Sequence, residues 1–237
     1  MNNTLINEIP GYITLFKRST IFLNLKNSIL YLGGSILHLS VGVLTFPLFA
    51  RYLEPTDFAI IGYFTSISAF FFPLFNLSFG FYYLMRYFHQ SEEENRETLI
   101  NILLFLSLSD FILIFLSYFL LYGYFHYTNV TLPFYPFALI IFISLFLDIC
   151  RTFLLIDLRV KKKAWNYFII SVINIIFSVT TSLILVVKFN GGATGKMTGP
   201  VIAKFIIAII TIYLFKKNIT PNLLFSSIIP VTLSSWR

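Results

Sequence analysis

Four ionisable side chains stand inside long apolar stretches of this 237-residue chain: Asp110, Asp148, Arg151 and Lys204. A charge in hydrocarbon costs ~2.5–3.5 kcal/mol on insertion scales, so such residues usually face a cavity or a partner. Asp148 and Arg151 are three apart, which puts them on one helix face within pairing range. That pair can serve to orient its own helix. In a second reading, Arg151 and Lys204 line a polar cavity and offer positive charge to an anionic headgroup. A phosphate or diphosphate suits them, because Arg presents a fork of donors and Lys a point charge. Asp110 stands apart, either as a proton or cation site or bonded to a neighbouring helix.

Other chemistry is missing from the pattern. The chain has no G-x-S-x-G, no P-loop and no H-E-x-x-H, and its loops are too short to hold a catalytic domain. Cys150 is the lone cysteine and the three histidines do not cluster with it, so neither a disulfide nor a zinc-type site is expected. The expectation is a protein that is not an enzyme and uses no cofactor. Gly191, Gly195 and Gly199 recur every four residues and run into Pro200, a spacing that lets helix backbones approach closely in a bilayer. Pro47 and Pro73 each remove a helix hydrogen bond and mark packing or hinge positions.

These residues need helices to carry them. With 57% hydrophobic and 11% charged residues, the chain falls well below the roughly one quarter charged of a soluble domain. Six stretches reach the ~20 apolar residues that ~30 Å of hydrocarbon demands. They run over Ile29–Ala50, Phe58–Leu84, Leu99–Tyr122, Phe134–Ile156, Ala164–Val187 and Thr194–Phe215. The runs are continuous rather than alternating, which favours helices over a membrane barrel. The fold expected is all-α: a cytoplasmic segment over 1–27, a six-helix transmembrane lobe over 28–217, and a linker with the truncated start of a seventh helix over 218–237. Within the first segment, Tyr12–Phe16 reads as a short surface stretch or a simple tail.

Charge orients the bundle. Lys17, Arg18, Lys26, Arg86, Arg96, Arg151, Arg159, Lys161, Lys162, Lys163, Lys216 and Lys217 fall on one side, against Arg51, Lys188 and Lys196 on the other. Twelve against three places the first side, and both chain ends, in the cytoplasm. The same placement between spans argues against a nucleic-acid partner, despite the net charge of +7. Short turns at Glu54–Asp57, Tyr124–Pro133 and Asn190–Gly192 are expected outside, with the polar Ser91–Glu97 connection inside.

Phe46-Pro-Leu-Phe-Ala-Arg-Tyr-Leu-Glu-Pro-Thr-Asp-Phe58 resembles the segment P-L-x-A-R-x-L-G-P-x-[DE]-[FY]-G of the polysaccharide-biosynthesis flippases. Asn76-Leu-Ser-Phe-Gly80 and Met85-Arg-Tyr-Phe88 resemble that family's second-helix ending, and the basic loop, Tyr167–Val187 and Gly192–Gly199 resemble its fifth and sixth helices. Glu54 and Ala59 depart from it, standing where the family has glycine. The resemblance spans about residues 25–217 and implies membership of the multidrug/oligosaccharidyl-lipid/polysaccharide exporter superfamily. It implies flipping of undecaprenyl-diphosphate-linked oligosaccharides across the bacterial inner membrane, by alternating access driven by an ion gradient or membrane potential.

The family's fold has two six-helix lobes around a cationic cavity, so the resemblance covers the first lobe, with the second missing or supplied by another chain. For such a transporter the candidate contacts to diphosphate or lipid headgroups are Arg151, Arg86, Arg51 and Lys204, with Asp148 as the partner of Arg151 and Asp110 as a candidate ion-coupling site. Two other readings remain open: a multidrug or cation antiporter of the same superfamily, and a non-transporting remnant or membrane scaffold.

Overall fold

The computed structural model describes residues 9–216; the expected seventh-helix start at 223–233 and Lys217 lie outside the described residues, as do the side chains of Lys17, Arg18 and Lys26. Among the described residues seven α-helices run in sequence: α1 (Ile9–Phe49), α2 (Pro55–Asn76), α3 (Phe79–Tyr87), α4 (Glu92–Thr128), α5 (Phe137–Val160), α6 (Ala164–Leu183, prolonged by a π turn over Ile184–Lys188) and α7 (Gly192–Lys216). No strand occurs among the described residues. Six of these helices are long and apolar enough to cross a membrane, over Asn27–Phe49, Pro55–Asn76, Glu92–Thr128, Phe137–Val160, Ala164–Lys188 and Gly192–Tyr213. The chain is an all-α, multi-pass membrane protein.

The helix boundaries differ from the sequence expectation in three places. First, α1 is unbroken from Ile9, ahead of its apolar span, which itself begins at Asn27. Second, the run expected as one helix from Phe58 to Leu84 breaks at Leu77 and Ser78, both left-handed with φ of 43° and 57°. The break falls beyond Pro73, through which α2 continues. The Leu77 amide caps the Pro73 carbonyl and Asn76 Nδ2 donates to the Phe72 carbonyl, which satisfies the helix end. Left-handed non-glycine residues cost about 1–2 kcal/mol each. That cost is offset by turning α3 back onto α4 and α5, where Tyr83 is buried with Leu99, Leu106, Ile149 and Phe153. Third, α4 continues to Thr128, where a loop was expected from Tyr124. Phe125 is buried in the α2–α4–α5 aromatic cluster, and that packing extends the helix.

Helix α5 is central, touching α2, α3, α4, α6 and α7, whereas α1 packs mainly on α6. One side of α5 is filled by rings: Phe64, Phe71, Phe75, Phe125, Phe137 and Phe142 are all buried together. Pairs among them meet at 5.4–6.3 Å, for example Phe71–Phe142 edge-on at 5.4 Å, a geometry favoured by the ring quadrupole. On the other side, α7 meets α6 almost backbone to backbone. A Cβ on Gly199 would lie 2.0 Å from Ser182 Oγ, and one on Gly195 would lie 3.1 Å from the Leu185 carbonyl carbon. The glycine spacing read from the sequence is therefore a packing seam. Gly191 precedes α7, sending its amide to the Leu185 carbonyl.

Pro200 completes that seam. Lacking an N–H, it leaves the Lys196 carbonyl without its helical donor, and Ser182 Oγ donates there at 3.1 Å. Thr181 Oγ1 donates to the Gly199 carbonyl at 3.1 Å. Glycine at 199 makes room for the hydroxyl that the proline requires, and α7 runs on to Lys216.

Candidate functional site

Asp148 is the focus of charge in the middle of the bundle. It projects from α5 one turn after Ser144 and is only 4% exposed. Arg151 Nε pairs with its Oδ1 at 2.7 Å from the same helix. Lys204, arriving from α7, pairs with the same oxygen at 3.4 Å and donates to Ser144 Oγ at 2.9 Å. Two cations on one carboxylate leave a net positive charge, and it is not sealed in. The Arg151 and Lys204 side chains keep 28% and 20% of their surface exposed. The α7 seam sets this meeting, because Lys204 lies five residues, about 7.5 Å of helix rise, beyond Gly199.

Arg151 also lines a pocket of about 380 Å³ between α1, α5 and α6, with Gly34, Tyr167, Ser171 and Asn174. Asn174 Oδ1 has no hydrogen-bond partner there. Gly34 opens this wall, since a Cβ on it would come within 3.3 Å of the Tyr167 ring. The pocket thus offers a guanidinium, hydroxyls and an amide acceptor beside apolar walls, a donor set suited to an anionic group with polar substituents.

Asp110 presents the opposite case. It is fully buried on α4, and among the described residues neither carboxylate oxygen has a hydrogen-bond partner. Of the two readings of Asp110, the bond to a neighbouring helix is not made among the described residues.

The structure does not bring the other two arginines to this centre. Arg86, on α3, donates to the Tyr82 hydroxyl and stacks 5.6 Å over the Tyr82 ring, in an open pocket with Met85 and His89. Arg51 is exposed in the turn after α1, at the opposite end of the bundle. The four basic residues therefore occupy three separate places, and only Arg151 and Lys204 converge.

Three clusters were not singled out by sequence. Asp57 accepts from the Glu54 amide at 3.1 Å and from the Ala193 amide at 2.9 Å, so one carboxylate holds the N-termini of both α2 and α7. Glu54 itself sits at φ −78° and ψ 160°, extended backbone that needs no glycine. Asp157, 5% exposed, accepts from the Tyr83 hydroxyl at 2.9 Å and from Lys161 at 2.8 Å. Its i, i+4 spacing from Lys161 was visible in sequence; its distant partner Tyr83 was not. Lys196 lies 3.3 Å over the Phe49 ring, a cation–π contact joining α7 to the end of α1.

Comparison with known protein families, curated proteins and solved structures gives no match to this chain. Among the described residues no group of three or more metal-ligating side chains is present.

Proposed function

We propose that this helix bundle is a lobe of a lipid-linked oligosaccharide flippase of the bacterial inner membrane, with the Arg159–Lys163 end cytoplasmic. The observation that carries the reading is the convergence of Arg151 and Lys204 on one carboxylate beside a polar pocket. Asp148 holds both cations in place and neutralises only one, so an incoming diphosphate in the pocket meets the pre-oriented Arg151 guanidinium, with the Lys204 charge on the same carboxylate behind it. Preorganisation lowers the cost of binding, since the long side chains are already ordered. Rocking of this lobe against a second one would carry the headgroup across while the lipid chain stays in the bilayer. The resemblance of Phe46–Phe58 and Gly192–Gly199 to the polysaccharide flippases supports the same reading.

The test is transfer of undecaprenyl-diphosphate-linked oligosaccharide to the outer leaflet in the cell's own membranes. Arg151→Ala should cut transfer at least tenfold while the membrane level of the protein holds, given that charge-assisted contacts are worth about 1.5–3 kcal/mol. Unchanged transfer would remove the reading.

One observation favours a second reading, cation-coupled antiport: Asp110 is fully buried with both oxygens unbonded. Under that reading Asp110→Asn abolishes export and Arg151→Ala does not.

A further inference from the structure

A second polar pocket lies at the basic end of the bundle, ten residues or about 15 Å along α5 from Arg151. It has a volume of about 500 Å³, within the range of ligand sites. The end of α3, the first turns of α4 and the α5–α6 connection enclose it, and Tyr87, Glu92, Glu93, Asn95, Arg96 and Lys163 line it. Lys161 also reaches it, but its charge is committed to Asp157. Among the described residues, Arg96, Lys163, Glu92 and Glu93 make no ion pair. Two cations and two carboxylates outside any ion pair among the described residues thus line one concavity, Glu92, Glu93 and Arg96 from α4 and Lys163 from the α5–α6 connection.

Asn95 adds an independent sign of a missing ligand. It is 5% exposed, and its Nδ2 is used on the carbonyls of Tyr87 and Gln90 at 2.9 and 3.3 Å. Its Oδ1 accepts nothing among the described residues. A buried acceptor without a donor is a cost that a bound N–H group removes.

We propose that this pocket seats the headgroup of an aminophospholipid such as phosphatidylethanolamine. Its phosphate pairs with Arg96 and Lys163, and its primary ammonium meets Glu92, Glu93 and the Asn95 side. The chemistry is selective in both directions. A purely anionic headgroup satisfies the cations and meets two carboxylates of its own sign. A choline headgroup carries the positive charge and has no N–H to donate. This pocket stands apart from the Arg151 site and does not depend on what that site carries.

The experiment is native mass spectrometry of the full chain in mild detergent, against an equimolar mixture of phosphatidylethanolamine, phosphatidylcholine and phosphatidylglycerol with identical acyl chains. The wild-type chain should retain phosphatidylethanolamine about tenfold over each of the other two, the ratio expected for one extra charge-assisted contact. Arg96→Gln with Lys163→Gln should abolish that retention. Glu92→Gln with Glu93→Gln should lower phosphatidylethanolamine to the level of phosphatidylcholine. Equal retention of the three lipids by the wild type, or phosphatidylglycerol ahead, overturns the proposal without any variant. A preference that survives both double substitutions overturns it as well.

Discussion

Two buried carboxylates on adjacent helices, Asp148 and Asp110, have opposite surroundings. Asp148 on α5 shares one oxygen between Arg151 and Lys204, while Asp110 on α4 has no partner for either oxygen. Each is almost or wholly removed from solvent. The difference comes from what faces them. Helix α5 is met by α7, whose glycine seam brings a lysine to mid-bundle height, whereas α4 is met by aromatic and aliphatic surfaces. A carboxylate with two cations holds a net positive charge in place. A carboxylate with none can only hold a proton or a small cation of its own.

The largest effect that would break this contrast is expected at Asp148. Asp148→Asn leaves Arg151 and Lys204 facing each other, and should lower stability by about 3 kcal/mol, the low end for a buried pair because both cations are part-exposed. Thermal unfolding in detergent measures it. Next is Gly199→Ala, whose Cβ meets Ser182 Oγ at 2.0 Å and the Ser182 amide at 2.6 Å. It should cost about 2 kcal/mol by overpacking, and it should displace Lys204 from Asp148. A cysteine pair spanning α6 and α7 should then cross-link less efficiently than in the parent protein.

Ser182→Ala is a milder probe of the same seam. It deprives the Lys196 carbonyl of its donor and should cost about 1 kcal/mol, visible in the same melts. Asp110→Asn is expected to have the smallest effect, within about 1 kcal/mol of the parent in either direction, since it exchanges one unpaired buried polar group for another of the same shape. A large loss on Asp110→Asn would mean that a partner for Asp110 exists in the membrane, and the contrast would fail.

The sequence made some of this legible and hid the rest for physical reasons. Apolar runs of more than 20 residues announce spans because hydrocarbon thickness fixes their length. Their ends are set by packing, so Phe125 prolonged α4 past its expected stop. The α2 break was hidden because Leu77 and Ser78 have no intrinsic preference for left-handed backbone, and the fold imposes it. The Asp148–Arg151 pair was readable because three residues define one helix face. The arrival of Lys204, 56 positions after Asp148, depends on how α7 docks and had no local signature. Asp57 shows the same limit, since its acceptance of the Ala193 amide spans 136 residues.

The most direct measurement is retention of undecaprenyl diphosphate by the purified full chain, compared across wild type, Arg151→Ala with Lys204→Ala, and Asp110→Asn. A diphosphate site at Asp148 predicts that wild type and Asp110→Asn bind alike while the double variant loses at least tenfold. Equal binding by all three would contradict it.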